Sequence, residues 1–192
     1  MKTLLTLFVL LFSSSVVADD ISDFEIEGIS IGDSLLDHYS ISEIEKGTDY
    51  QLYDYMKESK FIAAGFLTND DSKYDFIQFT FKSNDTNKTI YGITASIDYE
   101  GKISNCYEKL DQVSDDLSLM FKNSQKIVNE ARKHPADSTG KSYVTQTYLY
   151  LDEEDIVSIS CYDWSDEMEN SDNFAIGMWS YELHSWGTKN QN

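Results

Sequence analysis

The chain runs to 192 residues, with 34 Asp plus Glu against 15 Lys plus Arg and a formal net charge of −19 at pH 7. That excess repels phosphate backbones and anionic headgroups, so nucleic acid and membrane surfaces are poor partners, whereas cationic ligands and basic protein surfaces are tolerated. The 13 Tyr, 10 Phe and 3 Trp supply enough apolar area to offset chain entropy without metals or a dense disulfide framework.

Residues 1–18 read as a signal peptide. Lys2 is the charged start, Leu4 to Phe12 the apolar core, and Val16-Val17-Ala18 the small-residue cleavage site. No later apolar run approaches the roughly eighteen residues of a membrane helix. The expectation is a periplasmic or secreted protein, without a membrane partner after cleavage, whose residues 19–192 form a single α+β domain.

After Asp33, the apolar Leu35, Leu36 and Tyr39 have helical spacing. Ser42 and Glu45 then form a capping box for a second short helix that Lys46-Gly47 ends. Tyr50–Ser59 has no clear period and reads as a loop with some strand character. Phe61–Leu67, short and almost wholly apolar, reads as a buried strand, and Asn69–Ser72 as a turn. From Asp75, Ile77, Phe79 and Phe81 alternate with Gln78, Thr80 and Lys82, the period of a half-solvated strand. Tyr91, Ile93, Ala95, Ile97 and Tyr99 alternate with small polar residues, completing a three-stranded meander.

Asn105 with Glu108 caps the longest helix, whose stripe of Cys106, Leu110, Val113, Leu117 and Met120 or Phe121 faces the core. Lys126–His134 extends the helical pattern until Pro135 and Gly140 break it. Tyr143–Leu151, Ile156–Tyr162 and Phe174–Leu183 read as three further strands. The sum is an antiparallel sheet of about six strands in two helix-plus-meander units, with helices on one face. In element order this resembles β-lactamase-inhibitor-like proteins and small outer-membrane assembly lipoproteins, a likeness that implies binding of other proteins.

Two catalytic patterns overlap near the start. Gly28-Ile29-Ser30-Ile31-Gly32 has the G-x-S-x-G spacing that can expose a serine on a sharp turn. Gly32-Asp33-Ser34-Leu35 resembles the opening of GDSL-type esterases, which implies an α/β hydrolase with Ser34 as nucleophile. A serine needs a histidine base, and the base an orienting carboxylate. The family takes both from an Asp-x-x-His, but Leu35, Ala131 and Tyr181 stand three residues before His38, His134 and His184. The bland reading is a glycine turn and a helix start. The stretch Glu25–Ser40, with Ile159–Trp164, also resembles a group of uncharacterised secreted bacterial proteins sharing a Glu-x-Glu-Gly-x-Ser-x-Gly-Asp-Ser-Leu-Leu opening; the likeness implies a shared fold and no activity.

Cys106 and Cys161 are the only cysteines. Export favours a disulfide over buried free thiols, and closing the long loop between them would contribute about 4 kcal/mol at most. Gly140-Lys141-Ser142 has the end of a phosphate loop, but Pro135 stands where its first Gly belongs, so a plain loop is the better reading. The acidic runs Asp70-Asp71, Asp152–Asp155 and Asp166–Asp172 lack the calcium-loop register, and the histidines lack zinc spacing. No metal or cofactor is implied. Asn84 and Asn87 begin glycosylation sequons, relevant only to a eukaryotic secretory route. Trp164, Trp179 and Trp186 would make a recognition patch on an exposed sheet face and packing material in a core. The functional expectation is a non-enzymatic module binding a protein or small ligand; the alternative is a GDSL-like serine esterase using Ser34.

Overall fold

Turns rather than regular secondary structure build the start of the folded chain. In the computed structural model, which describes residues 20–48, 60–69, 71–99, 102–151, 154–168 and 170–190, Glu27 and Gly28 take positive φ of 52° and 76°. They bring Ile26 and Ile29 into a short antiparallel bridge. Two left-handed residues in succession make the tight hairpin turn, and glycine enters that region without steric cost. The Gly32 N–H then donates to the Ile90 carbonyl and the Ile90 N–H to Asp33, which zips the segment onto the sheet and seals Ile26, Ile29 and Leu35. The signal peptide, the Tyr50–Ser59 loop and the Asp152-Glu153 pair lie outside the described residues.

Helix α1 (Ile41–Gly47) is capped by Ser40 and Glu43, not by Ser42 and Glu45. Both frames spell the same box, and the earlier one seats Ile44 and Gly47 on the sheet. A Cβ at Gly47 would lie 3.1 Å from Ala64 Cβ and from the Gly65 carbonyl oxygen, so the glycine permits the approach.

Strands β1 (Phe61–Leu67), β2 (Phe76–Lys82) and β3 (Ile90–Asp98) form the expected meander. A register shift between Thr80 and Phe81 alters the reading of β3. Ile90 and Ile93 remain on the face covered by α1, while Tyr91 turns to the opposite face beside Phe61. A bulge re-aims side chains in this way, which unbroken alternation cannot express.

Helix α2 (Ile103–Met120) follows Lys102, which makes no side-chain cap bond. Asn105 therefore lies inside the helix rather than at its cap. Its stripe of Cys106, Leu110 and Leu117 is buried on the sheet as expected, and Cys106 joins Cys161 in a disulfide with Cα atoms 5.9 Å apart.

The segment read as a continued helix is strand β4 (Gln125–Lys133), paired with β5 (Tyr143–Tyr150) through a register shift between Asn129 and Arg132. Lys, Glu, Ala and Arg favour helix weakly, and pairing to β5 overrides that preference. Strands β6 (Ile156–Asp163) and β7 (Asn173–Trp179) complete an all-antiparallel sheet of seven strands, not six, in the order β1-β2-β3-β7-β6-β5-β4. Strand β7 pairs with β3 as well as β6, and so fuses the two meanders.

The expected strand over Phe174–Leu183 ends at Trp179, and helix α3 (Tyr181–Asn190) follows. The Ser180 hydroxyl accepts from the Leu183 N–H, and Asp155 accepts from the Tyr181 N–H at 2.6 Å. Leu183 and Trp186 pack on Phe61 and Ala63, which alternate with the Ile62 and Ala64 that face α1. Helices thus cover both faces rather than one. Glu182 bridges Lys60 (2.6 Å) and Lys82 (2.9 Å) and holds α3 in place. Covered on this side too, β2 is buried on both faces, Gln78 and Thr80 included, and is not the half-solvated strand its alternation suggests. No described helix is long and apolar enough to cross a membrane.

Candidate functional site

The serine patterns resolve into backbone fastenings. Ser34 Oγ donates to the Asn87 carbonyl at 2.7 Å and accepts from the Leu36 N–H at 3.3 Å, capping a 3-10 turn over Leu35–Asp37. Ser30 Oγ donates to the Phe24 carbonyl, and its N–H donates to Asp33. No described hydrogen bond joins either serine to a histidine.

The loop after β4 contains His134, Asp137 and Ser142, the residue types of a proton relay in a different arrangement. Asp137 Oδ2 accepts from Ser142 Oγ (2.7 Å), the Ser142 N–H (2.8 Å) and the Lys141 N–H (3.2 Å), while Oδ1 accepts from the Thr139 N–H and Oγ1. Hydrogen bonds from Thr139 and Ser142 hold this carboxyl far below the usual range. The Lys141 and Ser142 N–H groups are therefore aimed at an anion, the loop's own carboxylate, while the Gly140 N–H donates to the Asp137 backbone carbonyl. His134 turns away: its Nδ1 accepts from the Ala136 N–H at 3.3 Å, and its ring lies 4.4 Å from Trp164.

Other acidic residues are likewise spent on structure. Asp172 accepts from the Trp164 N–H at 2.8 Å and Glu167 pairs with Lys141. Among the described residues no group of three or more His, Cys, Asp or Glu is placed to hold a metal.

The sheet face opposite α2 carries the remaining chemistry. Cross-strand neighbours Gln78, Thr94, Gly177, Ser158 and Tyr148 form one row, and Ser96, Ala175, Ser160 and Gln146 the next. The small side chains in the middle make a low floor, on which Trp179 lies flat. A Cβ at Gly177 would come within 3.2 Å of the indole and 2.8 Å of Ser158 Oγ, and one at Gly92 within 3.1 Å of the indole and 2.5 Å of Leu183 Cδ2. Helix α3 covers the β1–β3 end of this face and reaches β5 at Tyr150, whose ring lies 6.4 Å edge-on from that of His184.

At the β4–β6 end the face bears an exposed cation near several aromatic residues. Arg132, the one arginine in the chain, stands on the outer strand opposite Val144, just past the register shift, and donates from Nη2 to Gln146 Oε1 at 2.6 Å. The buried Gln146 is itself held, its Nε2 donating to Ser160 Oγ at 3.0 Å and its Oε1 also accepting from the Tyr148 hydroxyl at 3.1 Å. Tyr162 and Trp164 stack with centroids 5.9 Å apart and planes 9° from parallel, and His134 closes edge-on against Tyr162. Trp164 Nε1 is buried without a hydrogen-bond partner. Burial raises the Tyr148 and Tyr162 hydroxyl pKa values, and burial followed by the neighbouring Arg132 charge lowers that of His134, so all three are neutral near pH 7. None of the described carboxylates pairs with Arg132.

All three tryptophans lie on this side of the sheet, half-buried, in two groups: Trp179 and Trp186 beneath or within α3, and Trp164 at the aromatic corner. Arg132, Gln146, Tyr148 and Tyr162 belong to no motif in the sequence. One signal was available, because a lone arginine beside so many carboxylates is an outlier; its partners were hidden by the helical reading of β4. Comparisons with protein families, curated proteins and solved structures found no match to this chain.

Proposed function

We propose that the protein is an exported, non-enzymatic recognition module that presents the β4–β6 corner of its second sheet face to a partner. One observation carries the reading: a cation tethered by buried neutral groups and flanked by half-buried Tyr148, Tyr162 and Trp164 at the β4–β6 corner of the face. Amphipathic aromatics and arginine are the residues that dominate recognition surfaces, because they contribute large contact area with little side-chain entropy to lose. The engagement of Ser30 and Ser34 with the backbone supports the same reading from the other side. The disulfide between Cys106 and Cys161 is compatible with an oxidising compartment, periplasmic or extracellular.

A fluorophosphonate probe tests the assignment against the serine-esterase alternative. The folded protein should give no more label than Ser34→Ala. Stoichiometric labelling of the wild type that disappears in Ser34→Ala would overturn the recognition reading and establish Ser34 as a nucleophile.

A further inference from the structure

Arg132 stands where a surface charge would normally be neutralised and is not. The sequence holds 34 acidic residues, yet the described contacts of its guanidinium are a side-chain amide and, beside it, a phenol. A long cationic side chain left to solvent keeps its rotamer freedom, and tethering it costs entropy that a single neutral hydrogen bond scarcely offsets. Here the tether is deep. Gln146 and Ser160 are 6% and 2% exposed, and together they fix which edge of the planar fork is spent on the protein. The guanidinium has five N–H donors, and those not directed at Gln146 or Tyr148 are left to donate to the two oxygens of a carboxylate side by side.

Two further features narrow the ligand. The stacked Tyr162 and Trp164, with His134 against them, offer flat apolar area beside the cation. The field of a chain at −19 opposes a doubly charged phosphate more than a singly charged carboxylate, so the balance of local attraction and global repulsion favours the monoanion.

We infer that the corner formed by Arg132, Gln146, Tyr148, Tyr162 and Trp164 is a seat for a carboxylate carried on a flat apolar group, either a free aromatic acid or the carboxyl terminus of a peptide ending in an aromatic residue. This rests on the recognition reading above and specifies its ligand chemistry.

The lone arginine makes the test direct, because the protein has a single arginine Nε–Hε resonance that needs no assignment. Nitrogen-15-labelled protein is titrated separately with 3-phenylpropanoate and 3-phenylpropanamide, and then with N-acetyl-Ala-Ala-Phe bearing a free or an amidated carboxyl terminus. The carboxylates should shift the Nε resonance saturably, and each amide should bind about tenfold more weakly, the size of one charge-assisted pair. The stronger of the two carboxylates identifies the free acid or the peptide terminus as the source. Arg132→Gln, checked for an unchanged amide spectrum elsewhere, should erase the preference for the acid, and Arg132→Lys should recover only part of it. If acid and amide perturb the Tyr148–Trp164 amides equally, the carboxylate inference fails while the recognition reading survives. If neither perturbs this face, both fail.

Discussion

Removing the cross-link between α2 and β6 should cost this fold a large part of its stability. The double variant Cys106→Ala/Cys161→Ala opens a link spanning 55 residues of sequence. Loop-closure entropy for that length amounts to about 4 kcal/mol at 25 °C. Both positions are fully buried, so loss of the sulfur atoms adds to the cost rather than relieving it. Against the 5 to 15 kcal/mol, roughly, that holds a typical domain together, this is severe but survivable. Urea unfolding followed by tryptophan fluorescence should show the midpoint falling by about 2 M, taking a slope of about 2 kcal/mol/M for a domain of this size. Changing both residues avoids leaving a reactive partner thiol. A midpoint shift below about 0.5 M would mean instead that the helix and the sheet are already held together in the unfolded reference state or by packing alone, and that the cross-link contributes little.

Paired glycine substitutions test the docking of α3. Gly92→Ala places a methyl group 2.5 Å from Leu183 Cδ2 and should lower stability by about 1–3 kcal/mol through overpacking, whereas Gly187→Ala, with open space around it, should raise stability by about 0.5–1 kcal/mol through helix propensity; differential scanning calorimetry reads both. Asp137 supplies the pH dependence. Its folded pKa is depressed, so its contribution is complete above the unfolded value of about 3.9 and is lost as pH falls below it. The difference in urea midpoint between wild type and Asp137→Asn should therefore be constant from neutral pH down to about 5 and narrow below about 4; a difference independent of pH would contradict the hydrogen-bond assignment. Ser34→Ala removes a cap and the bond to Asn87, and should cost about 1 kcal/mol in thermal unfolding while leaving carboxylate binding unchanged.

The strands with strong local signals were legible from the sequence because each is a short, largely apolar or alternating run that the sheet buries. Phe61–Leu67, Phe76–Lys82 and Ile156–Asp163 each carry apolar residues that only a sheet can cover, and the stripe holding Cys106 pointed across the core to Cys161. Strand β4 was illegible for the opposite reason. Eight of its nine residues are exposed, so no buried pattern marks it, and its composition favours helix. Its strand character comes from β5, a partner that no local window contains. The same limit hid the site. Arg132 reaches Gln146 only because β4 pairs with β5, and Gln146 looks like an ordinary polar strand residue until Ser160 and Arg132 are seen on either side of it. Tyr91 and α3 were lost to features that alternation cannot encode, a register shift in one case and a change from strand to helix after Trp179 in the other.

Recognition at the β4–β6 corner of the second sheet face is open to an amide-resolved fragment screen on the nitrogen-15-labelled protein. Small aromatic fragments should give saturable shifts that cluster at Tyr148, Ser160, Tyr162 and Trp164, with the Arg132 side chain moving alongside them. Shifts clustering instead around Ser34 and Asn87, or on the face under α2, would contradict it.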